Sequence, residues 1–158
     1  MFVGEYNCKL DSKSRTIFPS ALKRQLPIDK QQHFVLKRDI YEKCLLFYPI
    51  NEWNNQVKML KKRLNPFNRK HSKFLREYYR GTAEIILDNS NRILFPKRLL
   101  EYMEAEKELV FAGQDGKIEI WAKDNYEKEQ SSHSDFASLS EEILGGDFMF
   151  NQDNNDND

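Results

Sequence analysis

Leu10-Asp11-Ser12-Lys13-Ser14-Arg15-Thr16-Ile17-Phe18-Pro19-Ser20-Ala21-Leu22 returns as Leu87-Asp88-Asn89-Ser90-Asn91-Arg92-Ile93-Leu94-Phe95-Pro96-Lys97-Arg98-Leu99. The two stretches share leucine, aspartate, arginine, phenylalanine, proline and leucine at the same spacing, so the chain is an internal duplication. A short module copied twice, with an aspartate and an arginine kept in the same turn, presents one surface twice, which favours binding over catalysis.

Working outward, each copy reads as strand, turn, strand, helix. In the first, Phe2 to Leu10 is a strand, Asp11 to Ser14 a turn, Thr16 to Phe18 a short strand, and Pro19 to Gln25 a helix closed before Pro27. Phe34 to Lys37 and Cys44 to Tyr48 then make a hairpin, and Pro49 followed by Asn51 opens a helix. In the second, Thr82 to Leu87, Asp88 to Asn91, Ile93 to Phe95 and Pro96 to Met103 repeat the order. A hairpin follows from Leu109 to Ala112 and Lys117 to Trp121, with Gly113 and Gly116 expected to supply positive φ in its turn. Between the copies, Trp53, Val57, Leu60 and Leu64 recur at helical spacing, and Asn65-Pro66 breaks that helix. A second helix opened by Asn68 carries Phe74, Leu75, Tyr78 and Tyr79, whose spacing suits a core better than a stacking platform.

The chain has 158 residues, 39% hydrophobic and 32% charged, enough for one modest core or two small ones that lean on each other. No stretch approaches the roughly 18 apolar residues of a membrane span, and Met1-Phe2-Val3-Gly4-Glu5 lacks a signal-peptide pattern, so a soluble, intracellular protein is expected. Cys8 and Cys44 sit singly in apolar surroundings and read as packing residues. A net charge of +0 conceals a basic middle, Lys58 to Arg80, and an acidic stretch from Asp124 onward. That asymmetry suits contact with a polyanion, or simply a solvated surface and a solubilising tail. His33, His71 and His133 are scattered, no Gly-rich phosphate loop or nucleophile elbow is present, and no metal or cofactor is expected. Asp11 and Asp88 are poor candidates for an acid–base pair, because each has an arginine in its own turn to hold it ionised.

The Asp-x-x-x-Arg unit admits two readings. Aspartate entering a tight turn accepts hydrogen bonds from turn amides, fixing the loop, and the arginine then projects from a rigid support, its planar fork suited to a phosphate or the O6/N7 edge of guanine. Alternatively, Asp11 and Arg15, and likewise Asp88 and Arg92, only pair with each other, a contact worth about 0–1 kcal/mol when exposed.

Further residues tip the balance. Gly4-Glu5-Tyr6, Leu10-Asp11-x-Lys13-x-Arg15, Phe18-Pro19, Cys44-Leu45-x-x-Tyr48-Pro49-x-x-Glu52-Trp53, the second Asp88-x-x-x-Arg92 with Phe95-Pro96, and Ile118-Glu119-Ile120-Trp121 together resemble the MraZ family from Met1 to Tyr126. The resemblance implies an α+β protein of two tandem swapped-hairpin, AbrB-like, β-rich halves with short helices. The expected divisions are a first half over 1–53, a basic helical connector over 54–80, a second half over 81–126 and a disordered acidic tail over 127–158. It also implies a bacterial transcriptional regulator, a repressor of the division and cell-wall gene cluster. Such proteins are cytoplasmic and nucleoid-associated, and bind direct repeats in double-stranded DNA upstream of their own operon as a homo-oligomeric ring. No small-molecule substrate and no membrane partner are implied. One departure stands out: the family usually has glycine before the arginine, where this chain has Ser14 and Asn91, so the first turn is expected to be reshaped.

On that reading the DNA contacts fall to Lys13 and Arg15, with Lys9 on phosphate and Arg92 in support, while Asp11 and Asp88 fix the turns; the positions matching Lys9 and Lys13 in the second copy are Ile86 and Ser90. Lys23, Arg24, Lys97 and Arg98 read as a solvated face with phosphate contact as the alternative, and the Trp53, Val57, Leu60 stripe as subunit packing or internal core. In the tail, Leu139, Ile143 and Leu144 suit a short helix begun by Ser138 or Ser140, followed by Phe148-Met149-Phe150. That segment either docks on the basic turns, recruits a partner, or does neither. The competing functions are an AbrB-like antitoxin or transition-state regulator, and a ring-forming interaction protein that does not bind DNA.

Overall fold

The computed structural model describes residues 1–151, with side chains as far as Gly145. Residues 1–126 form one compact unit and the stretch from Glu127 a second.

The first unit follows the duplicated order. Copy one gives β1 (Glu5–Lys9), β2 (Arg15–Ile17), α1 (Ser20–Lys23), β3 (His33–Arg38) and β4 (Leu45–Pro49). The connector is α2 (Ile50–Arg63) and α3 (Arg69–Tyr79). Copy two gives β5 (Ala83–Ile86), β6 (Arg92–Leu94), α4 (Lys97–Tyr102), β7 (Glu108–Gln114) and β8 (Lys117–Ala122), before α5 (Lys123–Glu129). The helix starts follow proline chemistry: Pro19, Pro49 and Pro96 sit just ahead of α1, α2 and α4 at φ near −55°, where no amide hydrogen is needed. Asn68 caps α3, its side-chain oxygen accepting from the Lys70 and His71 N–H groups.

The copies exchange strands. A six-stranded sheet runs β1-β7-β8-β4-β3-β5, so β1 of the first copy completes the second copy's hairpin and β5 of the second completes the first's. The two hairpins join in the middle through β4 and β8. The order reads the same from either edge once the copies are interchanged. A two-stranded ribbon of β2 and β6 lies apart from this sheet, with Thr16 opposite Ile93, its own counterpart in the duplication.

One hydrophobic core serves both copies. Phe18 and Phe95, Leu22 and Leu99, with Phe34, Phe47, Phe111 and Ile120, are buried in a single cluster. The Phe18 ring centroid lies 5.3 Å from that of Phe34 and 5.5 Å from that of Phe47, both edge-on, and Phe34 and Phe47 stack at 4.5 Å. This explains the repeated Phe-Pro-x-x-Leu. Phenylalanine plugs the core from the ribbon, proline starts the helix, and leucine on that helix closes the plug. A smaller cluster of Val35, Leu46, Tyr48 and Trp53 receives Val57 and Tyr78 from the connector. Trp53 and Val57 of the stripe therefore pack within their own chain, with the Trp53 and Tyr78 rings parallel at 6.2 Å.

Two local expectations are corrected. In the β7–β8 turn the left-handed residue is Asp115 (φ 61°), not a glycine. Gly113 is required for close approach, since a Cβ there would stand 2.8 Å from the Phe2 carbonyl carbon, and one on Gly116 would meet the Glu52 carboxylate at 3.0 Å. In the second unit, α6 (His133–Asn151) starts earlier than Ser138 or Ser140, because the Ser132 hydroxyl accepts from the Asp135 N–H. It changes direction at Gly145 (φ 66°). Leu139, Ile143 and Leu144 on this helix are exposed. The side chains of Phe148, Met149 and Phe150, and all of residues 152–158, lie outside the described part of the chain, so the expectations for them stay with the sequence.

Candidate nucleic-acid interface

The two Asp-x-x-x-Arg segments fold into the same turn. Asp11 Oδ1 accepts from the backbone N–H groups of Lys13 and Arg15, each at 2.9 Å, and Oδ2 accepts from Arg15 Nε at 2.9 Å. Asp88 Oδ1 accepts from the Ser90 and Arg92 N–H groups at 2.8 and 3.0 Å, and Oδ2 accepts from Arg92 Nε at 2.8 Å. The Arg15 backbone N–H, then the neighbouring Lys13 N–H and the guanidinium, hold the Asp11 carboxyl below the usual aspartate range. Asp88 is lowered in the same way, chiefly by the Arg92 N–H.

Both sequence readings of this unit are thus physically present, and they are compatible. The aspartate pairs with its arginine, but only through Nε, and among the described residues no hydrogen bond is made by the terminal nitrogens of either guanidinium. A guanidinium held by one edge presents its other edge in a fixed direction.

The expected reshaping of the first turn does not occur. Ser14 and Asn91 both adopt the left-handed conformation, at φ 61° and 59°. The reason lies in the ribbon: the Ser14 carbonyl accepts from the Phe95 N–H at 3.0 Å and the Asn91 carbonyl from the Phe18 N–H at 2.9 Å. Each turn is thereby stitched to the other copy's strand, and the two hydrogen bonds offset the left-handed cost at serine.

These turns sit at opposite ends of the β2–β6 ribbon, whose register sets Arg15 opposite Leu94 and Ile17 opposite Arg92. Asp11 and Asp88 are consequently apart, each engaged in its own turn. Side chains alternate, so Thr16 and Ile93 point into the core while Arg15, Ile17, Arg92 and Leu94 share the outer face. Lys13 is exposed at the tip of the first turn, and Lys9 is exposed on β1, opposite Glu108. The Lys9 carbonyl accepts from the Thr16 hydroxyl at 2.9 Å, tying β1 to the ribbon.

Two residues of this face were not singled out by the sequence reading as part of it. Ile17 and Leu94 are 64% and 61% exposed between the arginines; the signal was the period-two alternation from each arginine, which places an apolar residue on the outer side. Lys23 on α1 donates to the Asn91 side-chain oxygen at 2.6 Å, bringing a first-copy cation to the second turn. Its counterpart in the duplication is Leu100, so the contact has no equivalent at the first turn.

Elsewhere the chemistry is quiet. Cys8 and Cys44 are unpaired, and burial pushes the Cys8 thiol up to about 11 and Cys44 up as well, away from thiolate reactivity. Among the described residues no group of three or more His, Cys, Asp or Glu side chains could hold a metal ion, and no helix is long and apolar enough to cross a membrane.

Known proteins are similar to this chain in sequence. The family model described as "MraZ protein, putative antitoxin-like" matches the chain twice, over residues 1–77 and 78–144, in keeping with the duplication. The protein named transcriptional regulator MraZ of Christiangramia forsetii is 41% identical over 146 residues, covering 92% of this chain and 94% of its own. That of Flavobacterium psychrophilum is 42% identical over 144 residues, covering 90% and 91%. That of Clostridium acetobutylicum is 35% identical over 143 residues, covering 90% and 96%. With two tandem matches across the duplicated body and relatives aligned over nearly their whole length, the chain belongs to the MraZ family of transcriptional regulators.

Proposed function

We propose that this protein is a sequence-specific regulator that binds double-stranded DNA through the β2–β6 face, as a repressor of the division and cell-wall gene cluster acting at direct repeats upstream of its own operon. The observation that carries the proposal is the pair of arginines on the ribbon's outer face, each held by an aspartate through Nε, which leaves its terminal-nitrogen edge without a hydrogen bond among the described residues. Such an edge matches a guanine or a phosphate in two places at once. Arg15 and Lys13 supply the principal contacts, Lys9 meets phosphate, and Arg92 assists.

A net-neutral subunit attracts DNA weakly, because non-specific affinity scales with the phosphates neutralised. A homo-oligomeric ring presenting one such face per subunit turns several weak contacts with spaced repeats into one strong one through effective concentration. In that setting the protein works in the cytoplasm, on the nucleoid. An AbrB-like antitoxin is the weaker account, because those are generally short single-copy chains that dimerise, whereas both halves are carried here.

Mobility shift with DNA from upstream of the protein's own gene, at two salt concentrations and with excess non-specific competitor, tests the reading. Binding that survives competitor, weakens steeply with salt and is lost in Arg15→Ala supports it. Competitor-sensitive binding, or binding indifferent to Arg15, overturns it in favour of a structural role for the turns within an assembly.

A further inference from the structure

The outer face of the ribbon holds an unusual pair. Ile17 and Leu94 are 64% and 61% exposed, while Thr16 and Ile93, one residue away, are 3% and 0% exposed. A three-residue strand that buries threonine and exposes isoleucine reverses the arrangement its solvation alone favours. The register makes the four outer residues a checkerboard, with Arg15 beside Leu94, Arg92 beside Ile17, and the two arginines on one diagonal. Diagonal neighbours on a ribbon stand about 7–8 Å apart. Stacked base pairs rise about 3.4 Å each. The arginines therefore span about two base steps, with both apolar side chains lying between them.

We propose that Ile17 and Leu94 read the 5-methyl groups of thymines lying between the bases or phosphates held by Arg15 and Arg92, making the ribbon a four-residue reader rather than a pair of isolated arginines. The proposal rests on the DNA-binding reading above. The major groove of B-DNA admits a two-stranded ribbon, and the thymine methyl is the one apolar group on its floor, met in known complexes by aliphatic side chains. Charge selects this occupant. Arg15 and Arg92 flank the apolar pair, so a second copy of the same face would oppose arginine to arginine, whereas a duplex supplies phosphates around the methyls.

The test compares duplexes that differ only in those methyls. DNA selected from a random pool by the wild-type protein is synthesised with thymine and again with deoxyuridine, which keeps every hydrogen-bonding group. Each buried methyl is expected to contribute about 3- to 5-fold in affinity, so the uracil duplex should bind about tenfold more weakly if two are read. Ile17→Ser with Leu94→Ser should bind both duplexes alike, near the wild-type affinity for uracil, with its far-UV spectrum and elution volume unchanged because both positions are exposed. Ile17→Val should keep most of the discrimination. Equal wild-type binding to both duplexes overturns the inference and leaves the DNA-binding reading standing. Full discrimination retained by the double serine variant, or a smaller assembly formed by it, also overturns the inference, assigning the methyls to other residues or the pair to contact between copies. Failure of the wild-type protein to enrich any sequence overturns both.

Discussion

Ser14 and Asn91 hold one left-handed backbone geometry in two different side chains, and each passes its carbonyl to the phenylalanine N–H of the opposite copy. The turn is therefore set by the ribbon it closes as much as by its own residues.

Replacement at Ser14 should reveal this balance. Ser14→Gly relieves a left-handed cost of about 1–2 kcal/mol, offset by roughly 0.4–1 kcal/mol of added chain entropy when unfolded, so a net gain of up to about 1.5 kcal/mol is expected. Ser14→Val should lose about 1–2 kcal/mol, since a β-branched residue is worst at that φ. Asn91→Gly should gain less, because asparagine tolerates the conformation and its side chain accepts from Lys23. Urea denaturation of the three variants measures the order.

The turn carboxylates should make stability fall in acid. Asp11 and Asp88 have lowered folded-state pKa values, so their contribution is present above the ordinary aspartate value and is lost as pH falls through the folded one. Glu77, lowered by its hydrogen bond from Arg80, adds in the same direction. Asp11→Asn with Asp88→Asn should flatten the decline below about pH 4. Urea midpoints from pH 2.5 to 7 would contradict this if wild type and variant fell in parallel.

Lys37 predicts a further rise of stability with pH, at the alkaline end. Its side chain is 2% exposed, donating to the Arg38 carbonyl and lying 4.2 Å from the Tyr78 ring, and burial lowers its pKa to about 8. Between about pH 8 and its ordinary value near 10.5 the unfolded chain binds the extra proton, so stability should rise with pH across that window. Above pH 10 the raised tyrosines, Tyr126 at about 12 among them, reverse the trend. Lys37→Met should remove the rise and be more stable at pH 7 by about 1 kcal/mol.

A shared core should melt once. Phe18→Ala and Phe95→Ala are each expected to cost about 3–5 kcal/mol and to destabilise residues 1–126 as a whole. Trp53 and Trp121 report from the connector and from β8, so their joint fluorescence and the far-UV dichroism should give coincident transitions. A fragment ending at Arg80 should remain unfolded as a monomer, because β1 lacks β7 and β3 lacks β5.

Much of this architecture was legible because it is local. The Phe-Pro-x-x-Leu repeat announced strand, helix start and core contact together, and Asn65-Pro66 with Asn68 marked both connector helices to within a few residues. The Asp-x-x-x-Arg turns were readable from hydrogen-bonding capacity alone. The pairing of β1 with β7, about a hundred residues away, is decided by long-range burial that no local spacing encodes, and the two halves read over 1–53 and 81–126 gave no sign of it. Gly113 was misread because glycine serves close approach as readily as positive φ, and only the path of Phe2 tells which. Ile17 and Leu94 escaped notice because short apolar runs look buried, and only the register shows which of them face outward.

The palindromic order of the sheet also bears on how this chain can change over generations. Each half supplies the strand that finishes the other, so neither can be discarded once the duplication is established. Drift is confined to what the interior does not need, and the residues at the ribbon's outer face are of that kind. The halves already differ at and beside that face, with Lys9 and Lys13 in one against Ile86 and Ser90 in the other. The fold thus works as a ratchet, locking two copies into one body while letting their outward faces become different instruments.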